Sequence, residues 1–259
     1  MDLRIEGRQA IVCGASSGLG RAVATSLARE GVDLVIAART EERLMEAAGQ
    51  IAEETGAKVR PIVADVTTEE GRAALLVACP EPDILINNAG GPPPGDFRAW
   101  TREVWLKALD ANMLSAIFLI QATMDGMIAR KFGRVVNITS HMVKQPTAML
   151  GLSNGARAGL TGFVAGLSRE VVSHNVTLNN VLPGQFDTAR IRSIAQTFAN
   201  TSGIEVETQR ARMRGQIPAG RFGDPTELAD LCAFLCGSRA GFITGQSILM
   251  DGGQFPGLI

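Results

Sequence analysis

Short apolar runs rich in Val and Ile alternate along this chain with longer stretches of helical period. Few folds other than a parallel sheet with crossover helices satisfy that rhythm. The runs lie at residues 10–13, 34–37, 59–63, 84–86, 134–138, 177–181 and 247–250. They are continuous in polarity, as expected of strands covered by helices on both faces. The helical stretches between them run over residues 18–29, 41–54, 68–78, 102–129, 148–172 and 225–235. No linker or repeat divides the pattern, so residues 1–259 read as one α/β domain with a single sheet. Two segments interrupt it: 90–96, dense in Gly and Pro, and 183–221, of which about 184–221 reads as a substrate lid beside the strand ends.

Charge and cysteine usage narrow the function classes. With 25 basic against 26 acidic side chains there is no net field to gather a polyanion, so neither nucleic acid nor a membrane surface is expected as a partner. Four cysteines without paired metal-site spacing read as free thiols of a reducing compartment, and Cys232 and Cys236 as core residues on one helix face. No metal site is expected. The start of the chain is charged where a signal peptide needs an apolar run, and the apolar stretch 111–124 is broken by Ser115 and Gln121. A cytoplasmic location is the expectation.

The first apolar run enters Cys13-Gly14-Ala15-Ser16-Ser17-Gly18-Leu19-Gly20 and then a helix. Glycines at such a turn let the backbone approach a diphosphate, and the helix start offers unpaired N–H groups to it. A glycine loop by itself is a weak signal; between a strand and a helix it is a stronger one. At the end of the second strand an acid would bond the ribose of NAD, whereas an arginine receives the extra phosphate of NADP. The residues there are Ala37-Ala38-Arg39, with Glu41 and Glu42 assigned to the next helix, so the reading is NADP(H).

Taken together these motifs resemble the short-chain dehydrogenase/reductase family, in the group of 3-oxoacyl-acyl-carrier-protein reductases, over nearly the whole chain. Cys13 replaces the threonine that opens the family's glycine loop. Asp65-Val66 matches the adenine pocket, Asn87-Asn88-Ala89-Gly90 the turn after strand four, Asn112 the helix asparagine and Ser140 the catalytic serine. Pro183-Gly184 with Thr188 resembles the loop that holds the nicotinamide amide, and Phe222-Gly223-Asp224-Pro225, Ile243-Thr244-Gly245-Gln246 and Asp251-Gly252-Gly253 complete the set. The resemblance implies a Rossmann-type, doubly wound, seven-stranded parallel sheet with three helices on each face, and a homo-oligomer, tetramer or dimer.

The family's tyrosine and lysine are missing. Their positions, thirteen and seventeen residues after Ser140, hold Ser153 and Arg157, and the chain contains no tyrosine at all. In the family's mechanism the phenol protonates the carbonyl while the lysine lowers its pKa and bonds the ribose. Arg157 offers charge and ribose donors, but with a pKa of about 12.5 or more it does not shuttle protons. Ser153 reads as a space-filler or water holder. Just beyond Ser140 stand two other candidates for the acid, His141 and Lys144; both can also be read as plain polar loop residues. Lys144-Gln145-Pro146 together with Ser153-Asn154 and Arg157 resembles a divergent branch of the family, which favours Lys144. Ser140 and Asn112 position a carbonyl or a water without needing a shifted pKa.

The lid carries Arg190, Arg192, Arg210, Arg212, Arg214 and Arg221 against Asp187, Glu205 and Glu207. That excess suits an anionic or acyl-thioester substrate, or else acids on a neighbouring subunit. Met142, Met149 and Phe186 read as an apolar wall or as core. The expected function is an NADP(H)-dependent oxidoreductase that interconverts a carbonyl and an alcohol with an atypical proton donor. The alternatives are an NADP(H)-binding sensor without turnover, or lyase or isomerase chemistry on the same scaffold.

Overall fold

In the computed structural model, which describes residues 2–258, the apolar runs form seven parallel strands. They are β1 (Gln9–Cys13), β2 (Asp33–Ala38), β3 (Val59–Val63), β4 (Ile84–Asn88), β5 (Gly133–Ile138), β6 (Val176–Pro183) and β7 (Ser247–Met250), in the order β3-β2-β1-β4-β5-β6-β7. The order reverses direction at β1/β4, and in such sheets ligands bind at that switch point, outside the carboxyl ends of the strands.

Helices cover both faces because the strands bury residues on both. One layer consists of α1 (Gly18–Arg29), α2 (Glu41–Thr55) and α9 (Pro225–Cys236), packed on Val12, Ile36, Ile86 and Val136. The other contains α3 (Glu69–Ala78), α4 (Arg102–Leu109), α5 (Ser115–Ala129) and α6 (Gly151–Val171), packed on Ile11, Leu85, Val135 and Leu178. Each fully buried Leu or Ile contributes about 1.5–3 kcal/mol of transfer free energy. Cys232 and Cys236 lie in the first core, as expected. The segment Arg102–Ala129 has the length and hydropathy of a membrane span, but Leu119, Ile120 and Met124 are core residues on the sheet.

Two expectations need correction. The helix over 102–129 is not uniform: residues Asp110–Leu114 form a π-turn between α4 and α5, and Asn112 lies in it. A π-turn inserts one residue, but α5 beyond it is apolar on nearly all sides, so the sequence carries no visible change of phase. The segment after β6, in which the rhythm marks no helix, holds two packed helices, α7 (Ala189–Ser202) and α8 (Val206–Gly215). They enclose a small core of Ala195, Met213, Ile217 and Phe222.

Phe222-Gly223-Asp224-Pro225 acts structurally. Asp224 accepts from Thr226 N at 2.8 Å, Glu227 reaches back to Asp224 N at 2.7 Å, and Pro225 opens α9, forming a capping box. Arg221 grips Glu227 bidentately at 2.7 Å. That guanidinium, and then the Asp224 N–H, hold the Glu227 carboxyl down to about 2. Because the folded-state value is depressed, its stabilisation is complete above the ordinary carboxylate range and fades as pH falls through about 2. We expect Glu227→Gln to lower the thermal midpoint by about 2–4 °C at pH 7, with the gap to the parent narrowing toward pH 2. Scanning calorimetry across that range checks it, and parallel pH curves would refute the cap.

Candidate active site

The glycine loop links β1 to α1 at the switch point. Gly14 has φ +62°, and a Cβ on Gly20 would stand 2.2 Å from Gly14 O, so the loop closes only with glycine at both positions. Asn88 Nδ2 donates to Gly14 O at 3.3 Å and ties the end of β4 to the loop. Ser17, the N-cap of α1, makes no side-chain cap bond, so the first N–H groups of the helix face outward beside the partly exposed Ser16, Gly18 and Leu19. Cys13 is a buried thiol pushed up to about 12 by desolvation, and is inert.

Arg39 stands exposed past the end of β2, and no ion pair to it occurs among the described residues. Glu41 and Glu42 are in the first turn of α2, as expected. Across the strand ends Asp65 is half-buried beside Val66. Burial alone would raise its carboxyl, but bonds from Thr67 N and Oγ1, at 3.0 and 2.8 Å, and the charge of Arg39 hold it below its ordinary value. An uncapped helix start, a close backbone turn and an unpaired guanidinium are the parts a phosphorylated dinucleotide needs.

After β6, Gly184 lies so close to Asp251 that a Cβ would meet its Cα at 2.7 Å, and Gly184 N donates to Met250 O at 2.8 Å. Thr188 caps α7 and sets its methyl 3.6 Å from the Cβ position of Gly18. Thr188 therefore packs on the glycine loop, while Pro183 and Gly184 pack on the end of β7. Phe186 is buried, with its ring on Gly223.

Ser140 Oγ accepts from Met142 N at 3.2 Å, which leaves its own proton free for an oxygen in the cleft. His141 Nδ1 lies 3.0 Å from Pro183 O. A carbonyl only accepts, so Nδ1 carries the hydrogen and the ring serves as a strut between the loops after β5 and β6. Lys144 ends the same short turn; it is half-buried, and its ammonium has no hydrogen bond or ion pair among the described residues.

Arg157 departs most from expectation. It is buried, and its Nε donates to Ser153 Oγ at 3.2 Å, its Nη1 to Ile138 O and Thr139 O at 3.1 and 2.7 Å, and its Nη2 to Ala89 O at 3.1 Å. Four of its five N–H groups are spent on the protein, and one, on Nη2, stays free. Burial, and then the charge of Arg190, bring it down to about 10. Ser153 Oγ is the acceptor at the Nε end of that fork.

The sequence reading missed a polar rung across the sheet. Asn87 Nδ2 donates to Asn137 Oδ1 at 2.9 Å, Asn137 Nδ2 to Asn180 Oδ1 at 3.2 Å and Asn180 Nδ2 to Ser247 Oγ at 3.3 Å, all between register partners. Three asparagines on adjacent strands are only visible once the register is known. Asn87, Asn112 and Arg157 line a cavity of about 20 Å³, enough for one water. Asn87 Oδ1 and Asn112 Oδ1 are buried acceptors without a protein donor.

The profile described as Enoyl-(Acyl carrier protein) reductase matches residues 14–254. The 3-oxoacyl-acyl-carrier-protein reductase of Vibrio cholerae is 32% identical over 98% of this chain and 99% of its own length, and that of Aquifex aeolicus 31% over 98% and 100%. Among solved structures, L-sorbose reductase from Gluconobacter frateurii, complexed with NADPH and L-sorbose, superposes with a TM-score of 0.94 at 31% identity over the whole of both chains. The actinorhodin polyketide ketoreductase with NADPH gives 0.88 at 29% identity over 95% of this chain and 97% of its own.

Replacing Arg157 by Met would strand three buried carbonyls and Ser153. We expect a loss of about 3–5 kcal/mol by denaturant unfolding, and a smaller loss for Arg157→Lys, whose single ammonium cannot reproduce the fork. A Met variant as stable as the parent would show that the latch contributes nothing.

Proposed function

The chain belongs to the short-chain dehydrogenase/reductase family, and from that premise we propose that it is an NADP(H)-dependent oxidoreductase interconverting a small-molecule carbonyl and its alcohol, with Lys144 in place of the absent phenol as proton donor. The observation that carries this reading is the closed dinucleotide cradle, in which Thr188 seats on Gly18 and Asn88 on Gly14 beside an unpaired Arg39. Relatives solved with NADPH support the choice of cofactor.

In this reading Gly14, Ser16, Ser17, Gly18, Leu19 and Gly20 receive the diphosphate. Arg39 takes the extra phosphate, Asp65 and Val66 border the adenine, and Asn88, Ala89 and Gly90 with Pro183, Gly184 and Thr188 hold the nicotinamide end. The bound cofactor supplies or removes the hydride. Ser140 donates its free hydroxyl proton to the substrate oxygen and orients it. Lys144 delivers the proton to that oxygen. Asn112 positions the cavity water behind Arg157. A dimer or tetramer belongs to the same proposal: Leu106 and Phe118 are exposed on the α4 and α5 surface, and Gly162 and Gly166 leave the α6 surface open.

One observation favours a second reading. Arg157 spends four N–H groups on the protein itself, which is what a binding protein without turnover would tolerate. NADPH titration followed by turnover on a carbonyl panel decides, since tight binding without any turnover selects the sensor.

Two substitutions test the roles. Lys144→Ala should cut kcat by about 100-fold or more with NADPH affinity nearly intact, and an unchanged rate removes Lys144 from the chemistry. Arg39→Asp should shift the ratio of NADPH to NADH affinity toward NADH by at least tenfold; an unmoved ratio means the extra phosphate binds elsewhere.

A further inference from the structure

The arginines of the lid do not form a diffuse basic surface. Arg192 pairs with Asp187 at 3.1 Å, Arg210 with Asp187 and Glu207 at 3.4 and 3.3 Å, Arg214 with Glu207 at 2.7 Å and Arg221 with Glu227 at 2.7 Å. The acids that balance them come from the lid and α9 of the same chain, so no neighbouring subunit is needed. Arg190 differs. From the first turn of α7 it reaches back across the cleft, with Nη1 3.5 Å from Gly91 O, and it has no carboxylate partner among the described residues.

Three donors meet at Gly91. The point where a Cβ on that glycine would stand is 3.5 Å from Arg190 Nη2, 3.6 Å from Arg157 Nη2 and 3.7 Å from Ser153 Oγ. The two guanidinium nitrogens are therefore at most about 7 Å apart, a gap that one two-oxygen anion bridges with a hydrogen bond to each side. Arg157 also lacks a carboxylate partner among the described residues; its bonds go to carbonyls and a hydroxyl. Two cations held this close without a counter-charge repel each other, and Arg190 is exposed, so an anion can enter from solvent.

We propose that Arg190, the free N–H edge of Arg157 and Ser153 Oγ form a substrate-carboxylate site over Gly91, which makes the substrate an oxo-acid or the matching hydroxy-acid. The inference rests on the oxidoreductase reading and names the substrate class of that same cleft. Its place argues against a cofactor phosphate. The diphosphate cradle is at Gly14 to Gly20, whereas Gly91 follows the Asn88-Ala89-Gly90 turn and faces Ser153, the position at which the family's acid meets the substrate. The short serine leaves room there for a carboxylate.

The test pairs 2-, 3- and 4-oxo acids with their methyl esters, using NADPH and the full chain. The parent should prefer at least one acid over its ester by tenfold or more in kcat/KM. Arg190→Ala should bring that ratio to about one, mainly through KM, and Arg190→Lys should restore part of it. Gly91→Ala keeps both charges but places a methyl in contact with all three donors, and Gly91 has no left-handed φ to strain it; it too should erase the preference. NADPH titration of each variant separates the two anions. Retained NADPH affinity supports the proposal, whereas a tenfold loss of it in Arg190→Ala with the acid preference intact assigns the arginine to the cofactor and overturns it. Equal use of acid and ester by the parent overturns it as well. Should no oxo compound turn over, calorimetry of the same acids and esters on the NADP⁺-loaded protein still decides: acid-specific heat lost in Arg190→Ala supports the site while the redox reading fails, and no acid-specific heat in the parent ends it.

Discussion

The rest of the site depends on one buried guanidinium. Arg157 holds the carbonyls of Ala89, Ile138 and Thr139 together where the β4 and β5 ladders run out, and pins Ser153 one helical turn away. Strand-end carbonyls turned inward must find donors, and a planar fork satisfies several at once where an ammonium would satisfy fewer. The replacement of a lysine by this arginine therefore exchanges a proton-relaying group for a structural one. In the proposed reaction the proton donor therefore belongs to another element.

The short turn after Ser140 is the element proposed for it. Its serine keeps a free hydroxyl proton, its histidine is committed to Pro183 O, and its lysine ends the turn with an unpaired ammonium. On the opposite side, the lid neutralises most of its own charge and leaves Arg190 facing Arg157 across Gly91. The proposed proton donor and the proposed anion site thus lie on different elements. The dinucleotide cradle is untouched by these changes, because its contacts are made by backbone and by Asn88 and Thr188.

Much of this was legible early because its signals are local. Continuous apolar runs specify buried parallel strands, and glycines mark the turn into α1. The helices of the lid were not legible: α8 is so polar that its periodicity is faint, and its only buried residue is Met213. The π-turn at Asn112 leaves no visible change of phase, because α5 beyond it is apolar on nearly all sides.

What the sequence by itself determined is the sheet, its crossover helices, the cradle and the absence of a phenol, since each follows from periodicity, turn chemistry or composition. What only the tertiary structure decided is where the cations point. Arg157 and Arg190 are separated by more than thirty residues, and six lid arginines look alike in a string. Whether each meets a carboxylate, a carbonyl or an open cleft depends on distances of a few ångströms between distant segments, and charge energies vary steeply over that range.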